Sequence, residues 1–63
     1  MRYILRFEQT KEYEVKDFVP QKNDSIVIHY KERIIRLLVE TRTFLPHQGM
    51  CICFCALVNE KQN

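Results

Sequence analysis

Apolar and polar residues alternate along most of this chain. In "RYILRFE", residues 2–8, Tyr3, Leu5 and Phe7 share one face, and Arg2, Ile4, Arg6 and Glu8 the other. Period two in an aromatic and β-branched segment predicts a half-buried strand. Residues 12–18, "EYEVKDF", alternate again, with Tyr13 and Val15 in and Glu12, Glu14 and Lys16 out. The short polar link between these two runs predicts a hairpin. Residues 25–30, "SIVIHY", form a third strand with Ile26, Ile28 and Tyr30 on one face.

Residues 34–44, "IIRLLVETRTF", fit two templates. As a strand, Ile35, Leu37, Val39 and Thr41 face in, and Ile34, Arg36, Leu38, Glu40 and Arg42 face out. As a helix, Tyr30, Ile34, Leu37, Leu38, Thr41 and Leu45 form one stripe. Thr41, Thr43 and Phe44 favour strand, and no clear cap stands near Lys31, so strand is preferred. "MCICFCALV", residues 50–58, is a fifth strand with no polar residue.

The breaks carry turn chemistry. In "VPQKND", Pro20 removes a donor and Asn23-Asp24 favours a turn. "LPHQG", residues 45–49, sets Pro46 early and Gly49 late, the strongest turn signal in the chain. "NEKQN", residues 59–63, reads as a frayed tail after one domain over 1–58. Five short strands predict an all-β domain, a small barrel or a curled antiparallel sheet. The alternative is α+β, with a helix near 31–44 packed on a sheet.

Composition narrows the function. In a chain of 63 residues the core alone rarely supplies more than roughly 3–5 kcal/mol, so a disulfide, a metal or a partner subunit is worth seeking. No run approaches the roughly 20 apolar residues of a membrane helix. The apolar start is broken by Arg6 and Glu8, so no secretory segment is expected. Three cysteines without framework spacing fit reduced thiols and a cytoplasmic setting. Net charge is +2 with both signs interleaved, as in "KEYEVKD". Mixed signs describe a solvated surface rather than a polybasic patch.

Cys51, Cys53 and Cys55 pose the sharpest question. Zinc wants thiolates about 2.3 Å from one centre. At about 3.3 Å rise per residue, Cys51 and Cys55 on a strand lie about 13 Å apart. All three cannot reach one ion, and the Cys-x-x-Cys spacing of a redox pair is missing. No metal and no cofactor are expected. Free Cys acts as a small hydrophobe. Yet this strand is apolar on both faces, and both need cover. Cover can come from a central place in a layered fold, from 34–44 packing on it as a helix, or from another chain; in the last case Cys51, Cys53, Cys55 and Leu57 are the expected interface with a partner or a second copy.

Nothing supports an enzyme or a small-molecule substrate. Asp24, Ser25 and His29 contain triad residue types, but a strand sets Ser25 and His29 too far apart for a nucleophile–base pair. No glycine-rich loop is present to cradle phosphate. The second binding reading is nucleic acid. Arg2, Arg6, Arg36 and Arg42 face outward in this register and form a stripe if the first and fourth strands are neighbours.

"VPQKNDSIVIHYKERIIRLLVETRTF" resembles the opening of small SH3-like barrel domains of bacterial and phage origin. Their pattern is a Pro, a turn ending in Gly-Asp, an alternating strand, a turn and a second strand. Here these are Pro20, Asn23-Asp24, Ile26-Ile28 and Ile35-Leu37-Val39, with Asn23 where Gly is usual. The resemblance implies a fold and a tendency: binding or assembly modules, often of phages and mobile elements. The combined expectation is a non-enzymatic protein-interaction module or homodimer acting through strand 50–58.

Overall fold

A computed structural model describes residues 1–58. The tail at 59–63 lies outside the described residues. Five strands make one sheet: β1 (Arg2–Phe7), β2 (Lys11–Val15), β3 (Ser25–Tyr30), β4 (Arg33–Leu45) and β5 (Met50–Val58). The chain is all-β, a curled half-barrel consistent with a small SH3-like barrel. The helical alternative over 31–44 is not realised. That segment is the thirteen-residue β4, hydrogen-bonded to a strand on each side.

The order across the sheet is β2-β1-β5-β4-β3. Three pairings are antiparallel; β1 and β5 run parallel. A parallel pair needs a long connection. Here everything between β1 and β5 supplies it, so the alternation in the sequence could not announce the pairing. β5 becomes the middle strand, and β2 and β3 become the two edges.

The hairpins follow the turn residues. Lys31 and Glu32 both have positive φ, the signature of a tight two-residue turn whose twist matches its flanking strands. Asn23 takes φ 75, the left-handed position where the resembling domains use Gly, and Asn tolerates it better than most side chains. The carboxylate of Asp24 accepts the Gln21 N–H at 2.8 Å and fixes that turn. Pro46–Gln48 forms one 3₁₀ turn. Gly49 ends it at φ 65, and its N–H donates to the Pro46 carbonyl.

The sheet curls far enough to bring side chains of β1 and β3 into contact on its concave side. Phe7 of β1 and Tyr30 of β3 are separated by two strands in the sheet. Their rings nevertheless meet edge to face, with centroids 5.0 Å apart. The segment joining β2 to β3 must travel from one edge to the other. Pro20 is buried along it, and its carbonyl accepts a hydrogen bond from Arg42 at 3.1 Å. The concave side holds Leu5, Phe7, Val15, Ile26, Ile28, Ile35, Leu37, Val39, Cys51 and Cys53.

One irregularity turns half of β4 over. Its register with β5 shifts between Val39 and Thr41, so Glu40 is the extra residue of a bulge. Before it, Ile35, Leu37 and Val39 face the core as the alternation predicts. After it, Thr41 pairs with Phe54 and Arg42 with Cys53. The expected facing of Thr41 inward and Arg42 outward is therefore reversed. A bulge consumes one residue without breaking the strand, and period-two reading carries the wrong parity past it.

Gly49 offers a clean stability test. A Cβ there would meet no atom within 4 Å, so only the positive φ opposes a side chain. Gly49→Ala should lower unfolding free energy by about 1 kcal/mol through backbone strain. The readout is an earlier urea midpoint with an unchanged slope.

Candidate interaction surface on the central strand

The register reads as rows across the sheet. On the concave side, Phe44, Cys51, Tyr3 and Val15 form one row, and Arg42, Cys53, Leu5 and Tyr13 the next. On the convex side, Thr43, Ile52, Ile4 and Glu14 form one row, and Thr41, Phe54, Arg6 and Glu12 the next. The three cysteines therefore face the core, and Phe54 faces out.

This reverses the expected facing of β5. Cys51 and Cys53 are fully buried between β1 and β4, so no partner can touch them in this fold. Cys55 is half-buried, and only Leu57, near the strand end, is exposed. The reason is room. A five-strand curl has a narrow interior, already filled by Leu5, Phe7, Leu37 and Val39 from the flanking strands. The middle strand can add only small side chains there, and cysteine is small and apolar. The bulky Ile52 and Phe54 take the convex side.

Burial also fixes the chemistry of the thiols. It pushes Cys53 up to about 12, with Cys51 beside it adding to the shift and Arg42 opposing it. Burial likewise pushes Cys55 up to about 11, while a hydrogen bond from the Arg6 backbone opposes the shift. The Cys55 thiol donates to the Cys53 carbonyl at 3.3 Å. All three cysteines are free, and Cys53 and Cys55 are held as thiols, the opposite of an activated nucleophile. Among the described residues, no three or more His, Cys, Asp or Glu side chains are placed together to hold a metal ion.

The convex face is organised around an apolar column. Met50, Ile52, Phe54, Ala56 and Val58 run up the middle strand, with Phe54 39% exposed. Ile4 lies beside Ile52 and is buried. On that side Arg2 bonds Glu14 at 3.3 Å and Arg6 stands 3.8 Å from Glu12. Long charged side chains shield apolar surface with their stems while their heads stay in water. The Arg2 hydrogen bond holds the Glu14 carboxyl below its ordinary range. On the other side of the column stand the uncharged Thr41 and Thr43.

The four arginines are not brought together. β1 and β4 both flank β5 and do not neighbour each other. Arg2 and Arg6 are engaged with acids on the convex face. Arg36, on the same face two strands away, donates to the Ser25 hydroxyl at 3.1 Å. Arg42 is on the concave side, with its guanidinium 5.3 Å from the Phe44 ring centroid. The stripe expected of a nucleic-acid binder is thus split by β5 and by the bulge. Asp24, Ser25 and His29 are dispersed too: the first fixes a turn, the second accepts from Arg36, and the third is exposed.

Among the described residues, no helix is long and apolar enough to cross a membrane. Compared with protein-family models, curated proteins and solved structures, the chain has no match in any of the three. The site is therefore read from its geometry.

Two measurements follow from the thiols. Cys51 and Cys53 should resist an aromatic disulfide reagent at pH 8 in the folded protein, and all three should react in denaturant. Raised thiol pKa values also couple to stability. Above about pH 8.5 the unfolded chain loses thiol protons that the folded chain keeps. Stability should therefore fall as pH rises from there toward 11–12. Cys53→Ala should flatten that fall relative to the parent in parallel urea titrations.

Proposed function

We propose that this protein is a non-enzymatic assembly module whose partner is another protein surface, in the first instance a second copy of itself. The carrying observation is the uncovered convex face of β5. A mostly antiparallel sheet can leave one face to water, and that face is then normally polar, so a middle strand apolar on both faces calls for cover on both. Here one face has the core, while the other presents Phe54 and Val58, with Ile52 half-buried in the same column, and no charged residue on the strand. Contiguous apolar surface of this kind on a small chain marks interaction sites.

Self-pairing is supported by what surrounds the column. Its margin carries both signs, Arg2 and Arg6 beside Glu12 and Glu14. Two copies related by a two-fold can set the apolar columns face to face and match these charges around the rim. The chain's size supports the same reading, since a second sheet adds the core volume that 63 residues lack. The free thiols suit a reducing setting such as the cytoplasm. The nucleic-acid reading has no comparable observation in its favour, because its four arginines occupy separate places.

The test is solution mass by light scattering under reducing conditions. The native protein should exceed the single-chain mass of 7.7 kDa, and Phe54→Glu should lower its mass while circular dichroism stays that of the parent. A native protein that remains at 7.7 kDa at every concentration contradicts self-assembly. A Phe54→Glu protein of unchanged mass contradicts this face.

A further inference from the structure

The two edges of the sheet are built differently. β2, "KEYEV", carries Lys11, Glu12 and Glu14, with Lys16 just beyond it. Charges of this kind protect an edge from pairing with other chains. β3, "SIVIHY", has no Lys, Arg, Asp or Glu and no Pro, and its pairing with β4 is regular throughout. Val27 on its outward face is 52% exposed.

The direction of its backbone groups can be read from the hairpin. Tyr30 and Arg33 close the two-residue turn at Lys31-Glu32, so they form a hydrogen-bonded pair. Such pairs alternate along an antiparallel ladder. Ile26, Ile28 and Tyr30 therefore bond to β4, and the N–H and C=O groups of Ser25, Val27 and His29 point to the free side. β3 pairs with no strand but β4, and no other backbone bond among the described residues uses these groups. An open row of this kind is a template for strand addition.

We infer that the free edge of β3 pairs antiparallel with β3 of a second copy, about a two-fold through Val27. The sequence is self-complementary in that register. Val27 meets Val27 of the other copy, Ser25 meets His29, and Ile26 meets Ile28. Every open backbone group of the three residues then finds a partner, and the isoleucines of both cores become continuous. No like charges meet within the strand. Pairing β3 with the β2 edge of another copy would instead set its apolar side chains against Glu12 and Glu14. This surface is independent of the convex face of β5 and does not rest on it.

Amide hydrogen exchange reads the edge directly. In the edge-paired protein the Val27 amide is protected, and its protection weakens on dilution. Exchange of Val27 at the rate of an open strand at millimolar protein overturns the inference; so does protection that ignores concentration, which would mean a partner within the chain. Val27→Pro supplies the second arm. Its missing N–H is one that β4 does not use, so the hairpin tolerates it. In a Phe54→Glu background, the edge pair should persist at twice 7.7 kDa, and adding Val27→Pro should return the mass to 7.7 kDa. Loss of the edge pair alone leaves the β5 reading standing, and an unaffected edge pair with no response to Phe54→Glu does the reverse.

Discussion

The rest of this structure depends on the narrowness of the space inside a five-strand curl. The concave side must hold large residues from four strands, and the contact between Phe7 and Tyr30 shows how closely opposite walls approach. The middle strand is left with room for little. Cys51 and Cys53 meet that limit: they are apolar, small and fully buried. An alternation of small and bulky residues, Cys with Ile and Phe, then decides which side of β5 the solvent meets. The row of cysteines is a packing solution, and the raised pKa values of Cys53 and Cys55 are its electrostatic consequence.

The same constraint leads to the proposed function. Small residues inside mean bulky residues outside, so the convex side of β5 bears Ile52 and Phe54. The salt links of Arg2 and Arg6 stand on the β1–β2 side of the column and do not extend across it. Exposed pairs of this sort add little to stability. Here their use is a charged rim beside an apolar strip. The edge of β3 leaves a second kind of valence, made of backbone groups rather than side chains. A chain with an open face and an open edge is suited to assembly.

Much of this was legible in the sequence, for local reasons. β1, β2 and β3 announce themselves by period two, and the turn at "LPHQG" by Pro46 and Gly49. Asn23 at a left-handed position fits the turn that the SH3-like resemblance supplies. What stayed hidden was non-local. The parallel pairing of β1 with β5 joins the two ends of the domain, and no local pattern encodes it. The bulge at Glu40 has no distinctive residue, and it moves Arg42 to the concave side. β5 is apolar on both faces, so hydrophobicity alone could not orient it. Side-chain volume was the available signal: Cys51, Cys53 and Cys55 are uniformly small, and Ile52 and Phe54 are not.

The orientation of β5 is the claim on which the others rest. It is tested most directly by proton–proton proximity in solution, with nuclear Overhauser contacts from β5 read by NMR. The account predicts contacts from the Cys53 side chain to Leu5, its register partner in the core, and none from Phe54 to the core residues Leu5 and Leu37. Contacts from Phe54 to that pair, with Cys53 open to solvent, would contradict it.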